Sequence, residues 1–370
     1  MKSVAGITFH ASHNYGSVLQ ALALQTVVTR LGTEYEILNF RTLRQMDLYA
    51  VFTRRRGFKY LLKNASHLLY YPALHKKWQR FEQFIGDRLS LSAQQFSTLE
   101  ELKEAKKSYD CYIAGSDQIW NPVPADFDWA YYLPFVKDAK RIAYAPSFGQ
   151  LASTGDADTK KRIRDAVRRF DSLSAREDAA KEAILAMTGR EVPVVLDPTL
   201  LLTAKDWDAV CAPGRIQKGE YIFLYTLFAD REILGTAKRL SKQLGLPVVT
   251  SNFSNQHDVF TPFKKRFDAG PAEFLNLVRN ASLVVTTSFH GTVFSILHHR
   301  PFVAIRGLDD ARISSLLQLT GLSSRALSPG REAFDSRTLL TCDFSNAELR
   351  LETARQESIS YLKSALDLEV

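Results

Sequence analysis

The sequence predicts an α/β protein built as two Rossmann-like halves facing a cleft. Three observations carry that prediction. At 370 residues the chain is long for one core and natural for two domains of ~150–190 residues. Short β runs alternate with longer helical stretches, the pattern of a parallel sheet flanked by helices. The alternation starts afresh near residue 190, where Gly189, Pro193 and Pro198 cluster. The expected division is therefore 1–188 and 189–345, with a last helix, Asn346 to Leu366, long enough to cross back over the first domain.

Along the first half, Ser3 to Phe9 reads as a buried strand and His10 to Gly16 as a polar loop. A helix from Ser17 to Arg30 follows, apolar at Val18, Leu19, Leu22, Val27 and Val28 and ended by Gly32. Tyr35 to Asn39 completes a βαβ unit. Residues 41–105 read as helical and basic, with an aromatic stripe at Trp78, Phe81 and Phe84 of the kind that packs a core. Tyr109 to Ala114 and Arg141 to Ala145 are strands, the second broken by Pro146 and Gly149. A helix from Thr159 to Phe170 leads to a short strand, Ser172 to Ala175.

In the second half the expected strands are Val192 to Leu196, Tyr221 to Thr226, Pro247 to Thr250 and Leu283 to Thr287. Asp197-Pro198 stops the first, because a residue before proline is pushed out of helical geometry. Helices Arg231 to Leu244 and Pro271 to Asn280 lie between the others. No repeat of solenoid period is visible.

Composition is that of a soluble globular protein, 45% hydrophobic and 24% charged. Net charge is +8, concentrated in Arg41, Arg44, Arg54, Arg55, Arg56, Lys59 and Lys63 and again in Lys160, Lys161, Arg162, Arg164, Arg168 and Arg169. Such clusters serve as solvated surface, or meet an anionic substrate or membrane. No helix-turn-helix, zinc or RNP pattern accompanies them, so nucleic acid is not an expected partner. Cys111, Cys211 and Cys342 are far apart, which suits reduced thiols in a cytoplasmic protein. The opening residues are apolar too briefly for a signal peptide, and no run approaches the ~20 apolar residues of a membrane span.

Four strand-end stretches can carry chemistry. In Leu283 to Ser295 a hydrophobic strand turns at once into a helix, whose first N–H groups and positive dipole end suit an anion. Ser288 and Thr292 offer hydroxyls there, His290 a proton or a charge near neutral pH, and Gly291 close backbone approach. A capped helix with a packed histidine is the structural alternative. The loop His10 to Ser17 has a similar placement, but Gly16 alone meets neither the dinucleotide nor the P-loop fingerprint. His13 and Asn14 are nonetheless at a strand's carboxyl end, where open α/β sheets bind ligands. Gly115 to Pro122 sets Ser116, the Asp117 carboxylate, the Gln118 amide and the Trp120 indole together, a set suited to a sugar. In Ser172 to Asp178, Arg176 either forks onto a phosphate or carboxylate or pairs with Glu177 or Asp178. None of these is a metal-ligand cluster.

Taken together, SHNYGSVLQALALQ, AGSDQIWNP, IAYAPSFG, LSARED, VVLDPTLLL and TTSFHGTVFSI occur in an order that resembles the polysaccharide pyruvyl transferase family, across residues 4 to about 305. The resemblance implies a glycosyltransferase-B-like fold and phosphoenolpyruvate (PEP) as donor, with no further cofactor and no metal. The implied acceptor is a hexose, galactose being the first choice, on a lipid-linked precursor of a bacterial capsule or exopolysaccharide. The product is a pyruvate ketal. The first domain becomes the acceptor side and the second the donor side. The family's arginine in its S-x-R-[DE] stretch falls on Arg176 and its helix-opening histidine on His290. A loop position acidic in some members is Asn14 here, and a place where some carry arginine is Ser288.

On this reading Arg176 and the helix end at Ser288, Gly291 and Thr292 hold the donor. His290 takes one acid–base or charge-stabilising role, and Asp117 or His13 the other. Asn14, Gly16 and Ser116 line the ligand loops. The expected location is the cytoplasm, with peripheral contact at the inner face of the membrane. Two other readings compete. A nucleotide-sugar glycosyltransferase shares the fold but would need an acidic ribose-binding residue, which the second half does not display. A non-catalytic basic scaffold would explain the charge and not the four strand-end stretches.

Overall fold

The computed structural model describes residues 1–53, 57–149, 156–217, 219–227, 230–252, 261–328 and 337–369. Arg54, Arg55 and Arg56 of the first basic cluster lie outside the described residues, as does the side chain of Lys59. The chain divides into two compact units: Met1–Tyr49, Ile85–Leu202 and Thr353–Val370 form one, Ala50–Phe84 and Thr203–Glu352 the other. The division expected at 188/189 thus falls at 202/203. Residues 50–84 belong with the second unit, and 353–370 return to the first.

Elements run β1 (Ser3–Ile7), α1 (Tyr15–Arg30), β2 (Glu34–Phe40), α2 (Leu43–Tyr49), α3 (Phe58–Leu69), α4 (Tyr71–Arg88), β3 (Leu91–Phe96), α5 (Leu99–Lys103), β4 (Cys111–Asp117) and β5 (Lys140–Pro146). Then come α6 (Ala157–Val167), β6 (Ser172–Leu173), α7 (Asp178–Thr188), α8 (Pro198–Leu201), α9 (Ala204–Asp208), β7 (Ile222–Tyr225), α10 (Arg231–Leu244), β8 (Val248–Thr250) and β9 (Lys264–Lys265). The chain closes with α11 (Pro271–Arg279), β10 (Leu283–Thr286), α12 (Phe289–Leu297), β11 (Phe302–Ile305), α13 (Ala311–Thr320), β12 (Ala326–Leu327) and α14 (Ser345–Ala365).

Among the described residues each unit holds one six-stranded sheet, and all its pairs are parallel. The first has the order β3-β2-β1-β4-β5-β6 and the second β12-β11-β10-β7-β8-β9. Counted from its own first strand, the second is the same order read from the opposite edge. This is the dinucleotide-fold order, and it reverses direction between the first and fourth strands. The reversal points are therefore β1/β4 in one unit and β7/β10 in the other.

The central strands are buried and apolar, as parallel strands covered on both faces must be. Ile222, Leu224, Leu283 and Val285 centre one core; Ile7, Ala114, Trp120 and Tyr131 belong to the other. Helix α12 is buried along its whole length; it carries no charged Lys, Arg, Asp or Glu, and its Thr292 and Ser295 hydroxyls are satisfied by backbone carbonyls of the preceding turn. Two stretches differ from the elements expected of them. β3 lies in the stretch read as helical: it is an edge strand with three consecutive exposed residues, so no alternation marks it. Val192 to Leu196 does not open the second sheet. It contributes only a bridge, Val194 to Ala175, beside the first one, and Pro193, lacking an N–H, cannot extend a ladder on both sides. Of the aromatic stripe, Phe81 and Phe84 are buried and Trp78 is partly exposed. Within the first unit, Tyr361 and Ser358 of α14 bond the Ala143 carbonyl and the Leu196 N–H. No helix among the described residues is long and apolar enough to cross a membrane.

Candidate functional site

At the β1/β4 reversal the loop after β1 meets the end of β4. Asn14 caps α1, its side chain accepting from the Gly16 N–H at 3.0 Å, so α1 begins two residues earlier than its apolar pattern suggested. β4 continues through Gly115 and Ser116 to Asp117, whose φ of +72° lies in the left-handed region. A non-glycine residue held there costs roughly 1–3 kcal/mol and persists only where its surroundings enforce it. Here the enforcement is visible. The Asp117 carboxylate accepts from Ser17 Oγ at 2.6 Å and from the Gln118 N–H at 2.8 Å, and its carbonyl accepts from the Ser147 N–H at 3.0 Å.

Arg176 lies behind this carboxylate with its side chain almost wholly buried. Its guanidinium pairs with Asp197 at 3.1 Å and Glu177 at 3.4 Å, and reaches Asp117 at 3.8 Å. Burial works against its charge, but Glu177, Asp197 and Asp117 outweigh that and raise its pKa. Of the two roles open to Arg176 in the sequence, the geometry has the internal ion pair, widened from Glu177 to three carboxylates. The Arg176 charge is thus enclosed by carboxylates of the first unit, Asp117 being the farthest of these three.

Ser116 is fully buried, and its hydroxyl is shared between the Ala145 carbonyl and Asp197, each at 3.1 Å. That makes it framework, in place of the expected ligand contact. Trp120 is fully buried as well. Its indole N–H donates to the Tyr131 carbonyl and its ring stacks on Tyr132, so it offers no platform to a sugar.

Three residues that the sequence did not single out, Asp126, Tyr49 and Gln45, complete this end. Asp126 accepts from Tyr49 O–H at 2.8 Å and from Ser12 Oγ at 3.1 Å, while Gln45 donates to Ser12 Oγ at 3.2 Å. Burial pushes the Asp126 carboxyl above its ordinary range, the Tyr49 hydrogen bond opposes the shift and the charge on Asp117 adds to it. The His13 ring stacks on Tyr49 with centroids 5.8 Å apart. Asp126 lies in a loop with no strand-end pattern, so only the fold reveals it.

At the β7/β10 reversal the character changes. Thr226 and Thr287, just beyond β7 and β10, share a hydroxyl hydrogen bond of 2.8 Å. Ser288 caps α12: its Oγ accepts from the Gly291 N–H at 3.4 Å, and its own N–H donates to Thr286 Oγ1 at 3.0 Å. Thr292 Oγ1 donates to the Ser288 carbonyl at 3.2 Å. The Ser288 and Thr292 hydroxyls, expected to face an anion, thus build the start of the helix. A Cβ on Gly291 would overlap the Thr286 side chain and come within 3.0 Å of Tyr225. The close approach that this glycine allows is therefore between helix and strands. His290 is buried at the second helical position, edge-on to Phe289 at 5.1 Å. The first turn holds no acidic residue, and residues 283–297 contain none.

Elsewhere in the second unit the fold gathers Asp208, Cys211 and His298, whose ligand atoms lie within 4.8 Å of one another. No metal cluster is apparent in the sequence because the third residue is 87 positions beyond the second. Arg279 bonds Asp208 at 2.9 Å and brings a positive charge against any cation there. The three cysteines are free thiols.

The fold and these two reversal points define a class: an α/β protein of two Rossmann-like domains, glycosyltransferase-B-like. Solved structures agree. A UDP-N-acetylglucosamine 2-epimerase of Listeria monocytogenes, described as putative, is similar at a TM-score of 0.56 and 11% identity, over 98% of this chain and 96% of its own. The UDP-GlcNAc 2-epimerase of Methanocaldococcus jannaschii gives 0.52 and 12%, over 95% and 93%. AviGT4, a glycosyltransferase involved in avilamycin A biosynthesis, gives 0.52 and 10%, over 99% and 98%. At such identities the likeness is one of fold. No curated protein matches the sequence. The profile of the polysaccharide pyruvyl transferase family matches residues 14–308, and the chain belongs to that family.

Proposed function

We propose that the chain transfers the enolpyruvyl group of PEP to a hexose, galactose first, of a lipid-linked polysaccharide precursor and closes it into a ketal. The observation that carries this reading is the start of α12. It is the positive end of a fully buried helix at a sheet reversal, free of acidic residues, with His290 in its first turn and inside the stretch that the family profile covers. Such an end favours a phosphate.

In the proposed reaction a proton adds to the methylene carbon of PEP, and the C2 cation is attacked by a sugar hydroxyl. Phosphate leaves from C2, and a second hydroxyl closes the ketal. The two hydroxyl protons balance the one gained at carbon and the one carried off on phosphate. His290 stabilises the departing phosphate or protonates it. Asp117, held ready by Ser17, takes a hydroxyl proton. Asp126 and His13 at the same end are the further candidates for proton transfer. Asn14 and Gly16 order the loop that carries His13.

The test is incubation with PEP and a panel of galactosides, reading phosphate release and an acceptor mass increased by one pyruvate less water. Turnover of a UDP- or GDP-sugar with indifference to PEP would replace this reading with the glycosyltransferase one.

A further inference from the structure

One surface of the second unit is inverted relative to water. Helix α3 has apolar residues at Phe58, Leu61, Leu62, Ala65, Leu68 and Leu69, a spacing that puts them on one face. In a surface helix that face turns to the core. Here it turns outward: Phe58 is 76% exposed, Leu61 66%, Leu62 45%, Leu68 67% and Leu69 72%. The polar side is the one tied to the protein. The Asn64 amide exchanges hydrogen bonds with the Thr53 backbone in both directions, each 3.1 Å, and His67 Nδ1 meets the Val51 carbonyl at 2.6 Å.

The flank of this face is aromatic. Phe52, Tyr71, His75 and Trp78 stack in file, with successive centroids 5.4, 5.4 and 6.3 Å apart, and Tyr71 and Trp78 are both more than a third exposed. Rings with an apolar body and a polar tip favour the headgroup level of a bilayer. The segment is also basic. Residues 50–84 hold eight Lys or Arg and one Glu. Lys77 is partly buried and Arg80 pairs with Asp268 and Glu273, so among the described side chains Lys63 and Lys76 carry the exposed positive charge. Lys63, on α3 itself, is exposed.

We infer that the outer face of α3 docks on an anionic bilayer, lying in the interface with its apolar side chains among the acyl chains. Apolar residues beside exposed lysines, in a segment rich in Lys and Arg, are what such a surface binds. A second copy of the chain is a poorer occupant, because a symmetric contact would set one basic segment against another. The inference is independent of the donor and acceptor chemistry proposed above.

The experiment is co-sedimentation of the full chain with vesicles of phosphatidylcholine containing about one third phosphatidylglycerol, at low and at high salt. The chain pellets with these vesicles, much less with pure phosphatidylcholine, and less at high salt. Leu61→Glu/Leu68→Glu weakens vesicle binding at least ~10-fold, with its thermal midpoint unchanged because both side chains face solvent. Lys63→Glu, outside the apolar face, weakens it a few-fold. A wild-type chain left in the supernatant overturns the inference, as does a double variant that binds equally well. So does a wild-type dimer in light scattering that the double variant converts to monomer, which would assign the face to a second copy.

Discussion

The two sheets share one strand order, yet their reversal points are chemical opposites. At β1/β4 the chain places Asp117, Asp197 and Glu177 around one buried arginine, with Asp126 nearby under the influence of the Asp117 charge. At β7/β10 it places threonines, a serine cap and His290 at a helix start with no carboxylate in its first turn. The topology supplies the same crevice twice, and the side chains decide what each can hold. An acid-lined end suits hydroxyl groups that must give up protons. An acid-free helix end suits an anion. The proposed reaction needs one of each.

The sharpest way to break the comparison is to remove the cation from the acidic end. Arg176→Ala leaves Asp197 and Glu177 buried without their shared partner, a loss of roughly 3–5 kcal/mol by analogy with other broken buried pairs. Urea unfolding should show it as a large fall in midpoint. PEP-dependent ketal formation should fall at least ~100-fold, because the acidic end loses the cation its carboxylates share. Arg176→Lys should recover part of the stability and little activity, since a point charge cannot bridge three carboxylates as a guanidinium does. An alanine variant of wild-type stability would show that the acidic end does not depend on this cation.

At the other end, His290→Ala removes buried packing but leaves no buried charge unpaired, so it should cost less stability than Arg176→Ala while lowering ketal formation at least ~100-fold, read as phosphate release. The distinction is then in the ratio of the two effects: Arg176→Ala loses stability most, and His290→Ala loses turnover out of proportion to stability. Near-normal turnover in His290→Ala would reduce α12 to a capped helix with a packed histidine.

The sequence made the second end more legible than the first, for a physical reason. Strands β1, β4, β7 and β10 are central and buried, so each appears as an apolar run ending in a polar turn, and His290 follows such a run directly. Edge strands carry no such signal: β6, β9 and β12 span two residues each, and β3 is polar at its centre. The acidic end is assembled from residues distant in the chain. Ser17 Oγ meets Asp117 across 100 positions, Tyr49 O–H meets Asp126 across 77, and Ser116 Oγ meets Asp197 across 81. No local pattern encodes those meetings. The same gap explains why Arg176 reads locally as a partner for Glu177 and not for Asp197, with which it also pairs at 3.1 Å, and why Trp120, beside a carboxylate in sequence, packs into the core.

The smallest expected effect sharpens the acidic end without dismantling it. Because the Asp126 carboxyl is raised by burial, the native state keeps its proton at pH values where the unfolded chain, with an ordinary carboxyl near ~3.9, has released it. The folded form then binds more protons, and stability falls as pH rises through the window between the ordinary and the raised value, by at most about 1.4 kcal/mol per pH unit. Asp126→Asn cannot titrate, yet its amide oxygen can still accept from Tyr49 and Ser12. The difference in unfolding free energy between wild type and variant should therefore decline with pH across that window and level off above it. Parallel curves would mean that Asp126 titrates as an ordinary carboxyl, leaving Asp117 and His13 as the proton carriers at this end.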